Sequence, residues 1–332
     1  MAGSLSSHAH SSTARWIGFL GYDLGRLFET IPASAIDERL SPLFLFAEVG
    51  DGGIDFTSGV SVDPARLVAC TFNRETYCDA VQRVIDYIRA GDVFQVNLSQ
   101  RFTYATSLAP TEIYDNLLKQ SPAAYGALLD FGDHAVISNS PELFLRVSPD
   151  RHVLTRPIKG TRPRRIGADA ELRDSVKDQA ELNMIVDLER NDLGRVCEIG
   201  SIRVAEPRTI EAHPTVYHGA AAIEGTLRAH VDFVDLLGAM FPGGSVTGAP
   251  KIRAMQIIEE LEPVRRGVYC GAIGYLDAQG AIELNVAIRT MTARDGIVTL
   301  PVGGGIVADS DPAQEYVETL TKAVALQKAL NL

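Results

Sequence analysis

The sequence predicts an α+β protein built on antiparallel sheets. Stretches rich in apolar residues follow one another towards the C-terminus and are separated by tight turns at Ala278-Gln279-Gly280 and Arg294-Asp295-Gly296. Strands joined by such short turns pair antiparallel. Other stretches carry apolar residues at helical spacing between recognisable start and stop signals. This mixture favours an α+β fold over a doubly wound parallel sheet.

The first predicted elements are strands. Residues 16–25 are aromatic and interrupted by glycine, which is typical of a strand that enters a turn. Residues 43–49 and 54–60 flank Asp51-Gly52-Gly53, and this arrangement predicts a hairpin.

Three regions are distinguished by composition. Residues 1–15 are rich in Ser, His and Ala and are predicted to be a disordered leader. Near Phe72 the character of the sequence changes, so we place a domain boundary near residue 70. Residues 16–70 then precede a larger domain over residues 71–332.

The larger domain opens with its best-marked helix. Residues 74–90 place Tyr77, Val81 and Val84 at helical spacing, and Gly91 ends the helix. The other predicted elements, in order, are a strand over 93–104, a helix capped by Thr111 and ending at Lys119, strands over 135–147 and 153–158, a helix over 168–193 closed by Gly194, helices over 233–240 and 250–261, strands over 268–276, 281–292 and 297–302, and a helix from Asp311 to Leu330.

Charge and composition limit the partners. The chain has 332 residues, 46% of them hydrophobic, and a net charge of −11. Such an acidic protein is a poor candidate for binding nucleic acid or an anionic membrane. No apolar run approaches the ~20 residues that a membrane helix needs. The start lacks the apolar core of a secretory signal. The four cysteines show no CxxC pair or metal-ligand spacing, which indicates reduced thiols in a cytoplasmic protein.

A basic segment surrounds Lys159. Its cations are Arg156, Lys159, Arg162, Arg164 and Arg165. Because Lys159 lies between two X-Pro bonds and before a glycine, we expect it on a stiff, exposed bend outside regular elements. Like charges nearby lower the pKa of a lysine, and a neutral amine is a nucleophile. The alternative interpretation is a solvated basic loop.

Two acidic pairs could hold a metal ion. Asp178 and Glu181 are three residues apart, as are Glu315 and Glu318, so each pair lies on one face of a predicted helix. If the two helices converge, their carboxylates form a site suited to Mg²⁺. Alternatively, each pair belongs to a solvated helix face.

Two glycine-rich runs precede helices, at residues 303–305 and 243–251. Glycine backbones approach ligands closely, and free N–H groups at helix starts attract anions. Neither run matches a P-loop or a dinucleotide-binding fingerprint, and ordinary tight turns are the alternative.

Four single polar residues complete the candidates. Arg289 lies in an otherwise apolar predicted strand and is either an edge charge or a carboxylate clamp. His218, Glu142 and Lys322 are uninformative as isolated residues.

Several long motifs occur together and in a fixed order. They are DLERNDLGRV at 187–196, FPGGSVTGAPKIRAMQIIEELEP at 241–263, CGAIGYL at 270–276 and GGGIVADSDPAQEYVET at 303–319. Together they resemble the chorismate-utilising enzymes, which comprise anthranilate synthase component I, aminodeoxychorismate synthase component I, and the isochorismate and salicylate synthases. The resemblance implies a two-subdomain sandwich of antiparallel sheets with helices outside. It also implies that residues 16–70 are a remnant of the N-terminal subdomain and that residues 71–332 are the chorismate-binding catalytic domain.

The resemblance implies a role for each candidate residue. Glu181 and Glu318 match the direct Mg²⁺ ligands, and Asp178 and Glu315 match the acids that hold metal-bound waters. Arg289 and Tyr275, together with N–H groups near Gly304 and Gly305, match the groups that bind the enolpyruvyl carboxylate. Glu142 matches the general acid for the leaving 4-hydroxyl, His218 matches the histidine of the ring pocket, and Lys322 matches a lysine near the metal. Gly160 and Thr161, beside Lys159, are grouped with the substrate-binding residues.

Two positions distinguish the members of this family. Water-adding members carry a general-base lysine where this chain has Gln95, and glutamine does not act as a base. Anthranilate synthases usually read PIAGT where this chain reads PIKGT at residues 157–161. The resemblance is therefore strongest to members in which a lysine attacks C2 of chorismate and ammonia then gives 4-amino-4-deoxychorismate, on the way to 4-aminobenzoate and folate.

Two alternatives remain open from the sequence. One is the reaction of anthranilate synthase component I, which gives anthranilate and pyruvate. The other is an inactive, truncated subunit that only binds an amidotransferase. Because the chain has no recognisable glutaminase half, we expect a separate glutamine amidotransferase subunit to supply the ammonia.

Overall fold

The computed structural model describes residues 14–38, 42–48 and 64–332. Its first half contains β1 (Ala14–Leu20), a 3₁₀ turn (Tyr22–Leu27), β2 (Phe44–Glu48), β3 (Arg66–Cys70), α1 (Arg74–Ala90), β4 (Gln95–Ala105), α2 (Pro110–Gln120), β5 (Tyr125–Asp130), β6 (Ala135–Ser140), β7 (Leu143–Val147), β8 (His152–Arg156) and β9 (Ile158–Pro163). Its second half contains α3 (Ala168–Asp174), α4 (Val176–Gly194), β10 (Arg203–Ala212), β11 (Val216–Thr226), α5 (Phe233–Met240), a 3₁₀ turn (Gly244–Val246), β12 (Gly248–Ala249), α6 (Lys251–Leu261), β13 (Ala272–Asp277), β14 (Ile282–Val286), β15 (Thr290–Arg294), β16 (Ile297–Ile306) and α7 (Pro312–Ala329).

The described strands form two antiparallel sheets. The nine-stranded sheet has the order β10-β11-β8-β7-β14-β13-β1-β2, with β9 also paired to β11. The seven-stranded sheet has the order β12-β4-β16-β15-β6-β5, with β3 also paired to β4. The predicted α+β class with antiparallel pairing is therefore confirmed.

The two sheets pack face to face, and the helices lie outside them. Phe19 and Ile273 of the first sheet meet Val136 of the second in one buried cluster. Helices α3 and α4 pack on the nine-stranded sheet, whereas α1, α2, α6 and α7 pack on the seven-stranded sheet. This is the sandwich that the sequence resemblance implied.

Helix ends follow local capping chemistry. The Oδ1 atom of Asn73 accepts a hydrogen bond from the Thr76 N–H at 2.9 Å, and Gly91 ends α1 in the left-handed region. The prediction for α1 is therefore confirmed. Thr111 was wrongly assigned as a cap, because α2 begins at Pro110, whose ring suits the first helical position.

Three long predicted segments are each divided in the structure. The segment 135–147 divides into β6 and β7, and 281–292 divides into β14 and β15, with the two parts in different sheets. The segment 168–193 divides into α3 and α4, because the Ser175 hydroxyl caps a new helix by accepting from the Asp178 N–H at 3.3 Å. These breaks depend on tertiary packing or on a cap inside an apparently continuous pattern.

Several smaller predictions are also corrected. Strands β3, β5, β10 and β11 were not predicted, and the glycine run 303–305 lies within β16 rather than after a strand. Residues 14 and 15, placed in the leader, belong to β1. Residues 1–13 and the hairpin turn and second arm at 51–60 lie outside the described residues. The domain boundary near residue 70 stays a prediction.

The structure also bears on the predictions about the cysteines and about membrane helices. Cys70, Cys78, Cys197 and Cys270 are all unpaired. In the part of the chain that the structure describes, no helix is both long and apolar enough to cross a membrane.

Candidate active site

Lys159 lies in strand β9, not on an exposed bend as predicted. Strand β9 pairs with β11, and Lys159 is partly buried between the flanking prolines. Its Nζ donates a hydrogen bond to the carbonyl oxygen of Ser245 at 3.1 Å. Proline at the two ends of a short strand does not prevent pairing in between, so the local signal for a bend was overridden by the neighbouring strand.

The pKa of Lys159 is lowered, but the predicted cause was wrong. Burial of the amine is the largest cause, and the charge of Lys322 acts in the same direction, whereas Glu181 and Glu142 oppose it. The neighbouring arginines are not among the main causes of this shift. Arg156 pairs with Glu206 and Glu211, Arg162 pairs with Asp178, and Arg165 pairs with Glu171.

Glu142 lies close enough to this amine for the two charges to interact. It occupies the break between β6 and β7, where its side chain is buried and accepts a hydrogen bond from the Ile158 N–H at 3.4 Å. Burial raises the pKa of Glu142 to about 7, although Ser245 and Lys159 act to lower it. A carboxyl with a pKa near neutrality is suited to general acid catalysis.

The two acidic pairs converge across helices α4 and α7. Burial raises the pKa of Glu181, and the nearby charges of Asp178 and Glu318 raise it further. Burial likewise raises the pKa of Glu315, with a further contribution from Glu318. The four carboxylates therefore interact with one another, as the predicted metal site requires.

Side-chain cations neutralise two of these acids. Arg162 pairs with Asp178 and Lys322 pairs with Glu318, each at 2.7 Å. Within the described residues, no three His, Cys, Asp or Glu side chains are arranged closely enough to hold a metal ion. The donor chemistry nevertheless fits Mg²⁺, which prefers carboxylate oxygens and keeps several waters. We expect metal binding to require that these two ion pairs open.

The glycines of β16 leave room for this site. A Cβ atom on Gly304 would lie 3.4 Å from Glu318 Oε1, and one on Gly305 would lie only 2.0 Å from Gln95 Nε2. Strand β15 pairs with β16 only at residues 297–299, so within the described residues the edge of β16 opposite β4 is open after residue 299. A side chain at position 305 would therefore require the Gln95 amide to move.

His218 and Arg289 form a second polar group. The Nδ1 atom of His218 lies 2.8 Å from the Thr161 hydroxyl. Burial, and then the charge of Arg289, lower the pKa of His218 to about 3, so its ring is neutral near neutral pH. Arg289 follows β14 in the left-handed region rather than lying within a strand as predicted. Among the described residues its guanidinium has no carboxylate partner, which suits it to clamp a ligand carboxylate.

Tyr275 and Lys322 have different neighbours. Tyr275 lies on β13, and the charged groups that act on its hydroxyl are Glu283, Arg146 and Asp277 rather than Arg289. Lys322 donates to the Gly303 carbonyl at 2.8 Å and therefore joins α7 to the glycine run. The structure thus places Lys322 in the acidic site, whereas Arg289 is not among the charged groups that act on the Tyr275 hydroxyl.

A buried acid behind the site was missed in the sequence. Glu189 is buried and accepts a hydrogen bond from the Thr155 hydroxyl at 2.8 Å. Burial raises its pKa to about 8, and Thr155 opposes this shift. On the same helix, Asp192 pairs with Lys251 at 2.6 Å. The sequence signal was the run DLERNDLGRV at 187–196, which contributes to the family resemblance but does not show that Glu189 is buried.

Replacing Glu189 with glutamine should stabilise the protein at alkaline pH. Because the folded-state pKa of about 8 lies above the ordinary value of 4.5, the stability linked to this proton is complete below 4.5 and is lost as pH rises through 8. Glutamine does not titrate, so the Glu189→Gln variant should gain on the order of 1–3 kcal/mol over wild type at about pH 9. Denaturant unfolding of both proteins from about pH 4.5 to about pH 9 measures this gain, and parallel stability curves would contradict it.

Comparisons with known proteins agree with this architecture. Residues 57–328 match the profile of a family described as chorismate binding enzyme. Aminodeoxychorismate synthase component 1 of Klebsiella aerogenes is 41% identical over 338 residues, covering 92% of this chain and 75% of that protein. Anthranilate synthase component 1 of Pseudomonas aeruginosa is 44% identical over 286 residues, covering 84% of this chain but 58% of that protein. Identity alone therefore does not separate these two activities.

Solved structures show the same fold. Anthranilate synthase component I from Streptococcus pneumoniae aligns with a TM-score of 0.87 and 33% identity, covering 97% of this chain and 82% of that chain. The menaquinone-specific isochorismate synthase of Escherichia coli aligns with a TM-score of 0.73 and 24% identity, covering 82% of this chain and 66% of that chain. The second likeness concerns the fold alone.

Proposed function

The chain belongs to the chorismate-binding enzyme family, and we propose that within this family it aminates chorismate at C4 to give 4-amino-4-deoxychorismate. The observation that carries this proposal is the Lys159 amine. It is held by the Ser245 carbonyl at 3.1 Å, its pKa is lowered by burial, and it acts electrostatically on Glu142. A deprotonated amine beside a protonated carboxyl is the pair that nucleophilic substitution with an acid-assisted leaving group needs.

The proposed reaction has two displacement steps. The Lys159 nitrogen forms a bond to ring C2, both ring double bonds shift round the ring towards C4, and the 4-hydroxyl leaves as water with the proton of Glu142. Ammonia then forms a bond to C4, both double bonds shift back, and the C2–nitrogen bond to Lys159 breaks. A proton lost from the new amine restores Glu142, so both groups return to their starting states.

The remaining residues bind and orient the dianionic substrate in this proposal. Glu181 and Glu318 would hold Mg²⁺ directly, with Asp178 and Glu315 binding its waters. When bound, the metal ion supplies positive charge that neutralises the ring carboxylate. Arg289, whose guanidinium has no carboxylate partner among the described residues, clamps the enolpyruvyl carboxylate.

The pocket beside Lys159 supports an amination rather than a hydration. The substrate-binding role of Gly160 and Thr161 is supported by their position on β9, where Thr161 fixes the His218 ring. Gln95 is buried near Gly305, and neither of its amide atoms has a hydrogen-bond partner in the described part of the chain. Because an amide is not a base at neutral pH, Gln95 does not activate water.

Anthranilate synthesis is the second candidate. It is favoured by the 44% identity to the Pseudomonas aeruginosa relative. That reaction gives a fluorescent aromatic product and pyruvate from chorismate, and it does not need Lys159. The two candidates therefore differ in their product and in their dependence on one residue.

The purified chain should convert chorismate and ammonium to 4-amino-4-deoxychorismate in the presence of Mg²⁺. Mass spectrometry identifies the product, and adding an aminodeoxychorismate lyase should convert it to 4-aminobenzoate and pyruvate. Formation of anthranilate without the lyase would establish the second candidate. No consumption of chorismate under these conditions would instead support a subunit that only binds an amidotransferase.

A separate glutamine amidotransferase is proposed as the physiological ammonia source. The chain alone should use ammonium but not glutamine. Adding such a subunit should confer glutamine-dependent turnover, measured with the same product assay. If no amidotransferase subunit confers it while ammonium remains effective, the partner assignment fails and the proposed chemistry stands.

A further inference from the structure

The turn at residues 243–247 touches both reacting groups of the proposed site. It belongs to the second glycine-rich run, which the sequence left as an ordinary turn. Its Ser245 carbonyl accepts the hydrogen bond from Lys159 Nζ, and its Ser245 hydroxyl lies close enough to Glu142 to lower the pKa of that carboxyl. A single residue therefore contacts the nucleophile through its backbone and the acid through its side chain.

The turn is held rigidly by groups other than Ser245. The Val246 carbonyl accepts from Arg266 Nη1 at 2.9 Å, and the Thr247 carbonyl accepts from the Asn97 N–H at 2.8 Å. The Thr247 hydroxyl closes the turn by donating to the Gly243 carbonyl at 3.0 Å. Because these bonds fix the turn, the Ser245 carbonyl and hydroxyl remain available to the site.

The Ser245 hydroxyl is buried, and Glu142 is the group on which it acts. Only 6% of the residue is exposed, and among the described residues its oxygen makes no hydrogen bond to any group other than the Glu142 carboxyl. A buried hydroxyl needs a hydrogen-bond partner. A neighbouring carboxyl that becomes charged gives it a strong acceptor, and a hydrogen bond to a charged group is stronger than one to a neutral group.

We propose that Ser245 is a positioning residue that holds the Lys159 amine through its carbonyl and stabilises the ionised form of Glu142 through its hydroxyl. This inference rests on the proposed function, in which Glu142 gives up its proton as the 4-hydroxyl leaves. A donor reserved for the carboxylate makes Glu142 a stronger acid at the moment of transfer. Ser245 thus holds the nucleophile in place and stabilises the carboxylate that the acid becomes.

Other groups that face Glu142 stay unchanged when Ser245 is replaced. They are Lys159 on β9, Glu189 on α4 and Cys270, which precedes β13. Loss of the hydroxyl therefore has one direct effect, a rise of the pKa of Glu142 above about 7. Since the reaction needs this carboxyl protonated, activity falls as pH rises through that pKa, and the alkaline limb moves to higher pH in the variant.

The test combines a titration with kinetics. In substrate-free protein carrying ¹³C-labelled glutamate, with Glu142 assigned through Glu142→Gln, Ser245→Ala should raise the pKa of Glu142 by about one unit or more. It should lower kcat by about 10- to 100-fold and move the alkaline limb upward. Ser245→Thr, which keeps a hydroxyl, should restore both values.

Thr247→Ala is the matched control from the same turn. It removes a hydroxyl that bonds only to backbone within the turn, so it should lower the thermal stability without shifting the Glu142 titration or the alkaline limb. An unshifted Glu142 in Ser245→Ala, or an equal shift in Thr247→Ala, would overturn the inference. Absence of aminated product from wild type would overturn the proposed function but leave the titration result valid.

Discussion

Replacing Lys159 with alanine should abolish 4-amino-4-deoxychorismate formation. In the proposed reaction the Lys159 nitrogen forms the only covalent link to the substrate, and alanine offers no atom to replace it. We expect kcat to fall by about three orders of magnitude or more, as it does when other enzymic nucleophiles are removed. The product assay with ammonium measures the rate, and chorismate binding to the variant shows whether the pocket persists.

A covalent adduct provides an independent measurement. Without ammonia, wild type mixed with chorismate and quenched in acid should gain the mass of chorismate less one water, because the 4-hydroxyl leaves as Lys159 adds. Lys159→Ala should show no adduct. Lys119→Ala, at an exposed position near the end of α2, is the matched control and should retain both the adduct and the rate. A fully active Lys159→Ala variant would exclude the nucleophile role.

The sequence identified Lys159 but not its surroundings. The PIKGT motif singled out the residue, whereas the two X-Pro bonds wrongly predicted an exposed bend. Pairing with β11 makes this segment a strand, and burial rather than the arginines lowers the pKa of the amine. Neither fact is local, because β11 begins only at Val216 and the burial of the amine depends on tertiary packing.

Local signals predicted the helices better than the strands. Caps such as Asn73 and Gly91 act within a few residues, so α1 was placed correctly. The apolar run around Arg289 looked like one strand because it contains no glycine or proline. It divides where the chain passes from one sheet to the other, and this change of sheet is a tertiary event.

The acidic site shows the same division between local and distant information. Spacing of three residues correctly placed Asp178 with Glu181 and Glu315 with Glu318 on helices. What spacing could not predict is that Arg162 from β9 neutralises Asp178. The buried pair of Glu189 and Thr155 was also hidden, since a threonine in a strand and a glutamate in a helix carry no sign of their contact.

Replacing Glu318 with glutamine should abolish Mg²⁺-dependent turnover. An amide keeps the size of the side chain but removes the negative charge that makes a carboxylate a good Mg²⁺ ligand. Rates measured over a range of Mg²⁺ concentrations, together with calorimetric Mg²⁺ binding to the substrate-free protein, should both show the loss. Glu171→Gln, an exposed acid paired with Arg165, is the matched control and should keep both.

The fold should survive this change, so that lost turnover reports on the metal site. Burial raises the pKa of Glu318, but the neighbouring charge of Lys322 lowers it below its usual value. The ion pair between Glu318 and Lys322 is about half exposed. Exposed pairs of this kind contribute about 0–1 kcal/mol. Against this small loss, removal of the Glu318 charge relieves the repulsion that raises the pKa values of Glu181 and Glu315. The metal-free variant should therefore unfold at about the same temperature as wild type. Unchanged Mg²⁺ binding and activity would remove Glu318 from the metal site.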